Sequence, residues 1–127
     1  VKPLDFNHLF EQLHQDNKQK KPQITVRMPT EDINKLNELT TKLNVSRNRL
    51  FSLLIQLAYH DFSSFSKLAT AIQVRKEQDI SRIPVRLPPS DHQMIEWMSD
   101  KLNLSQNDLI IHLTRLAHNA YQLYEKN

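Results

Sequence analysis

Cysteine and glycine are both absent from this chain of 127 residues. Without cysteine there are no disulfide scaffold, thiolate zinc site or thiol nucleophile. Without glycine there is no P-loop, dinucleotide-binding fingerprint or nucleophile elbow, because each needs a glycine backbone at a fixed place. Most nucleotide enzymes are excluded on that ground. No run of about 18 apolar residues occurs, so no membrane span is expected. No basic start followed by an apolar stretch marks a leader, and the cytosol is the default compartment. Charge of one sign is also missing: 17 Lys and Arg stand against 14 Asp and Glu, a net charge of +3. That small excess permits a polyanionic partner without requiring one.

What the chain does contain is a repeat. Residues 23–62 align with residues 82–121 at an offset of 59 without a gap, and 14 of the 40 positions are identical. The identities include Ile24/Ile83, Val26/Val85, Arg27/Arg86, Pro29/Pro88 and Asp32/Asp91. They continue through Lys42-Leu43-Asn44, which matches Lys101-Leu102-Asn103, to Ser46/Ser105, Asn48/Asn107 and Leu50/Leu109. The chain divides into an N-terminal amphipathic segment with a basic linker (1–22), a first unit (23–62), a connecting helix and linker (63–81) and a second unit (82–127).

Each unit opens on an alternating run, Gln23-Ile24-Thr25-Val26-Arg27-Met28 or Arg82-Ile83-Pro84-Val85-Arg86-Leu87. Period two with β-branched residues predicts a half-buried strand. Pro29 and Pro88 close it. A helix follows, with Thr30 as N-cap in the first copy and Ser90 with Gln93 as a capping box in the second. Leu36, Leu39 and Leu43, like Ile95, Met98 and Leu102, keep helical spacing. Asn44 and Asn103 stand where a left-handed C-cap is needed, a conformation Asn tolerates. Ser46 and Ser105 then cap a second helix. In the first copy Leu50, Leu54, Leu57 and Ala58, widened by Phe51, Leu53 and Ile55, make that helix apolar nearly all round, the signature of burial. Nothing within so small a unit could cover it, and one strand is not stable alone. The two strands are therefore expected to pair antiparallel, with the four helices sharing one core about a pseudo-twofold axis. The expected fold is mainly α with a two-stranded antiparallel β-ribbon.

The Val-Arg-Leu/Met-Pro strand end and the Asn-Val/Leu-Ser-x-Asn turn, at this spacing, resemble the ribbon-helix-helix DNA-binding family of the Arc and MetJ type. The resemblance covers both repeats, about 80 residues. The family usually has glycine in the turn that Asn44 and Asn103 occupy here. It implies a tandem ribbon-helix-helix chain, an intramolecular pseudo-dimer whose partner is double-stranded DNA. Tandem copies in one chain resemble relaxosome accessory proteins, and a prokaryotic plasmid or phage setting follows from that likeness.

A two-stranded ribbon fits the major groove, where Arg reads guanine and Gln reads adenine. The polar ribbon face, Gln23, Thr25, Arg27, Arg82 and Arg86, supplies the base-contacting candidates, as the resemblance also implies. For Gln23 and Thr25 an exposed polar residue on an amphipathic strand is explanation enough. Arg27 and Arg86 recur at matching positions beside a shared proline. Pro84 has no N–H, so the ribbon tolerates it only if its nitrogen faces away from the partner strand. The half-sites would then be read unequally, Thr25 contacting a base and Pro84 making at most an apolar contact. The second helices offer free N–H groups at their starts, a phosphate site. Ser46, Arg47 and Asn48, with Ser105, Gln106 and Asn107, are the candidates there, the serines also serving as caps.

Leu4, Phe6, Leu9, Phe10 and Leu13 predict an amphipathic N-terminal helix, followed by the basic Lys18, Lys20 and Lys21. Phe65, Leu68, Ala69 and Ile72 predict a connecting helix, and Val74 to Ser81 an extended link. Met94, Trp97 and Phe10 are candidates for a protein contact, with Trp97 read as the seat of the N-terminal helix and self-association of pseudo-dimers on DNA as the next possibility. The six histidines show no metal-ligand spacing, and no nucleophile–base pair is present. No cofactor and no enzymatic activity are expected. The expected function is sequence-specific DNA binding as a transcriptional regulator, typically a repressor. Alternatives are a relaxosome or plasmid-maintenance accessory role, or an antitoxin that also binds a protein.

Overall fold

The computed structural model describes residues 6, 7, 10, 22–69 and 79–126. In chain order the elements are β1 (Gln23–Pro29), α1 (Thr30–Leu43), α2 (Arg47–His60), α3 (Phe62–Ala69), β2 (Ile80–Arg86), α4 (Pro89–Leu102) and α5 (Gln106–Lys126). The protein is mainly helical with one two-stranded sheet, in which β1 and β2 run antiparallel. The register pairs Gln23 with Arg86, Thr25 with Pro84 and Arg27 with Arg82.

One ribbon face is apolar and sits on the helices. Val26, Met28, Ile83, Val85 and Leu87 are buried, and Ile24 is half-buried. Helices pack mainly across the repeat: α1 on α5, and α2 on α4. Leu36 and Leu39 from α1, Ile95 and Met98 from α4, Phe51 and Ile55 from α2, and Leu109 and Ile110 from α5 are all at most 1% exposed. Each of these two seams joins a helix of one repeat to a helix of the other.

The tight turns follow the sequence closely. Asn44 (φ 54°, ψ 49°) and Asn103 (φ 53°, ψ 43°) are left-handed C-caps. At each, the following N–H folds back to the helix, Val45 to Thr40 O (3.1 Å) and Leu104 to Ser99 O (3.1 Å). These bonds satisfy carbonyls that the helix end leaves open. Ser46 Oγ accepts from Arg49 N–H (3.1 Å) and Ser105 Oγ from Asp108 N–H (3.0 Å), so both serines are N-caps.

Several expectations need correction. Thr30 is the first residue of α1 and Pro29 its N-cap, without a side-chain bond. The Thr30 N–H instead extends the sheet, donating to Asp79 O at 3.0 Å. The Ser90 and Gln93 box does not form either. Pro88 takes the N-cap position and Pro89 opens α4, where a missing N–H costs nothing. Helix α2 is not buried all round: Leu53 is 42% and Leu57 68% exposed. Leu57 lines an open apolar groove with Leu54, Phe65, Leu68, Leu113 and Leu116. Most of the predicted N-terminal helix, Ile72 and Val74 to Gln78 lie outside the described residues.

Candidate nucleic-acid interface

The outward ribbon face carries Gln23, Thr25 and Arg27 from β1 and Arg82, Pro84 and Arg86 from β2, all exposed. Alternation along each strand dictates this, since their neighbours Ile24, Val26, Ile83 and Val85 turn to the core. The expected base-contacting residues are thus together on one surface. Among the described residues no carboxylate forms a salt bridge with Arg27, Arg82 or Arg86.

Hydrogen bonding shows which way each backbone group points. In an antiparallel pair the N–H and C=O of one residue share a side, and successive residues alternate. Arg27 N–H donates outward to Asn107 Oδ1 (2.7 Å), and Asn107 Nδ2 returns a bond to Arg27 O (2.8 Å). Arg86 N–H donates to Asn48 Oδ1 (3.0 Å). Pro84 is two residues before Arg86, so its nitrogen also faces the open edge. The ladder loses nothing to this proline, and the condition set by the sequence is met.

The same bonds give Asn48 and Asn107 a structural role: their side-chain amides hold the ribbon edges. Each belongs to the first turn of a helix, so the N-terminus of α2 lies beside β2 and that of α5 beside β1. The ribbon is flanked on both sides by helix N-termini, which carry partial positive charge. Arg47, another phosphate candidate, donates from a terminal guanidinium nitrogen to Asn37 Oδ1 (3.0 Å) and is tethered to α1. Ser46 Oγ and Ser105 Oγ are engaged as caps, Gln106 is exposed, and the basic Arg49 is exposed beside Asn48 in the same turn.

The Arg27–Arg82 pair is informative. Both backbones point outward, which makes this a non-hydrogen-bonded pair with side chains close together. Like charges directly opposite on a sheet are destabilising. Among the described residues no carboxylate offsets them, so the arrangement favours an anionic or electron-rich ligand. At the other end Arg86 Nε donates to Gln23 Oε1 at 3.3 Å.

The protein-contact candidates lie elsewhere. Trp97 is 41% exposed and packs edge-on against Tyr59 (5.4 Å) and Phe62 (4.8 Å). Most of the N-terminal segment expected to seat on Trp97 lies outside the described residues. Met94 is half-buried beside the core. Phe10 is exposed and stacks on Phe6 at 6.3 Å.

No family model matches the chain, and no curated protein and no solved structure matches it either. Among the described residues no group of three or more His, Asp or Glu could hold a metal ion, and no helix is long and apolar enough to cross a membrane.

Proposed function

We propose that this protein is a sequence-specific double-stranded DNA-binding protein of the ribbon-helix-helix kind, in which two tandem repeats of one chain act as two subunits, and that it works as a transcriptional regulator. The observation that carries the reading is the ribbon's outer face: three exposed guanidiniums and no paired carboxylate, between two helix N-termini. A ribbon of two strands enters the major groove, about 12 Å wide. There Arg27, Arg82 and Arg86 present forks that match guanine O6 and N7, each worth about 1–3 kcal/mol of discrimination. The N–H groups of the α2 and α5 first turns, with Arg49, meet the phosphates on either side and fix the register of the ribbon in the groove.

Selection of duplexes from a random pool tests this reading. The expected result is an enriched motif, an affinity that falls steeply with salt, and loss of motif preference in the Arg27→Ala, Arg86→Ala double variant. Arg49→Ala should weaken all sequences alike and lower the salt slope by about one. No enrichment and no binding at low salt would overturn it.

A further inference from the structure

The two ends of the ribbon face are chemically different. A sequence repeat would make them equivalent if Gln23 and Arg82, which occupy the same repeat position, were the same residue. Instead one end presents Arg27 opposite Arg82 and the other Gln23 opposite Arg86, on either side of the central Thr25–Pro84 pair. At the first end two unpaired forks stand side by side. At the second, Gln23 accepts from Arg86 Nε, so a single fork is braced and its terminal nitrogens project alone.

The flanking helices differ in the opposite sense. Asn107 ties the α5 N-terminus to Arg27, at the two-arginine end, and that turn carries Gln106 and Asp108. Asn48 ties the α2 N-terminus to Arg86, at the glutamine end, and that turn carries Arg47 and Arg49. The end with more base-reading groups has fewer cations for the backbone, and the end with fewer base-reading groups has more.

We infer that the ribbon recognises a non-palindromic duplex site in one fixed orientation, with Arg27 and Arg82 reading a guanine-rich half-site while the Gln23–Arg86 end is held chiefly through the backbone by the α2 N-terminus. This rests on the DNA-binding reading above. It moves the source of asymmetry from Pro84, which lies at the centre of the face, to Arg82 at its end. A symmetric two-chain ribbon cannot make this distinction, because both ends carry the same residues. A single chain can, since the repeats have diverged at residues 23 and 82, 47 and 106, and 49 and 108.

The test compares the wild-type chain with Arg82→Gln, which makes the outer positions of the two ends alike. Each is put through selection from random duplexes, then titrated with the wild-type site and with the two palindromes built by doubling each of its halves. The wild-type chain should select unequal halves and bind the palindrome of the glutamine-end half about 5- to 150-fold more weakly than its own site, the range for one lost guanine contact. Arg82→Gln should select halves alike in their outer positions and lose that preference. Arg49→Ala should weaken binding to all three duplexes by a similar factor. Thermal unfolding of Arg82→Gln controls for folding; the exposed substitution relieves the opposed charges and should not lower the midpoint. A palindromic wild-type motif, or an asymmetric motif that Arg82→Gln leaves unchanged, would overturn the inference while leaving DNA binding intact. Absence of any duplex binding by the wild-type chain would overturn both.

Discussion

Where α1 meets α5, Asp32 is gripped by the Arg115 guanidinium through Nε to Oδ1 (2.9 Å) and a terminal nitrogen to Oδ2 (2.8 Å). Where α4 meets α2, the equivalent Asp91 accepts from Ser52 Oγ (2.6 Å) and from Gln56 Nε2 (3.4 Å). Both aspartates are 1% exposed. Six residues further along, Glu38 meets His118 (2.8 Å) and Lys42 (3.1 Å), while its counterpart Trp97 meets Tyr59 and Phe62 edge-on, under Lys101 Nζ at 5.6 Å from the ring centre. In the first seam the acids meet cationic side chains; in the second the acid meets a hydroxyl and an amide, and aromatic rings fill the rest.

The difference teaches which part of the design is fixed. An acidic residue in the first turn of the helix is favoured by the free N–H groups there, and both repeats keep it. How its remaining oxygen valences are satisfied is open: an arginine fork in one repeat, a hydroxyl and an amide in the other. The chain that follows each second helix accounts for the rest. Helix α5 runs on to Lys126, so Glu125 reaches Lys42 at 2.8 Å. Helix α2 stops at His60 and turns into α3, which brings Phe62 to Trp97.

The largest expected effect comes from removing the fork. Arg115→Ala takes both guanidinium bonds from a buried carboxylate, leaving Lys35 Nζ at 4.0 Å, and should cost about 3–5 kcal/mol in urea unfolding. The sharper experiment is transplantation: Arg115→Gln with Ile111→Ser installs the side chains that serve Asp91, and should recover much of that loss. A cost for Arg115→Ala within about 0.5 kcal/mol, the range of ordinary surface changes, would break the comparison. On the aromatic seam Trp97→Ala removes two edge-on ring contacts and should cost about 1–3 kcal/mol by the same measurement.

Smaller effects appear in pH dependence. His112, buried in α5 where the first repeat has Leu53, has its pKa pushed below the ordinary imidazole value by burial first, then by the charge of Arg115, against a raising contribution from Asp108. Above about pH 6.5 the ring is neutral folded or unfolded. Below it the unfolded chain takes up a proton that the folded chain resists, so stability falls as pH drops through this window. His112→Leu should flatten that part of the stability profile. Glu38 is held below the ordinary carboxylate range by its hydrogen bonds to His118 and then Lys42. Its contribution is present above the ordinary Glu value and fades as pH falls through the lowered one. Glu38→Gln should remove that acid-limb dependence with the smallest change at neutral pH, as the exposure of the Glu38 carboxylate implies.

Strands, helices and turns were legible because each leaves a periodic or positional mark. Alternation places the ribbon face, and Asn44 and Asn103 stand at the left-handed caps. What lies across an interface leaves no such mark. Asp32 and Asp91 align in the repeat, but nothing along the chain says that Arg115 and Ser52 face them. Asn48 and Asn107 follow capping serines at a helix start, a place that suggests phosphate; nothing along the chain shows that they also bond Arg86 and Arg27, 38 and 80 residues away. The same limit applies to the Arg27–Arg82 pair, since the repeat aligns Arg27 with Arg86 whereas the antiparallel register sets it opposite Arg82. Leu57 reads as core from composition, yet it lines the open groove beside α3 and is 68% exposed.

The claim that the outer ribbon face is the binding surface is tested most directly by mapping backbone amide shifts of the isotopically labelled protein as the selected duplex is added. The expected result is a contiguous footprint on Gln23 to Arg27, Arg82 to Arg86 and the first turns of α2 and α5, with the Trp97 seam and the groove at Leu57 unmoved. A footprint centred on Trp97, Tyr59 and Phe62 or on that groove, with the ribbon silent, would contradict it.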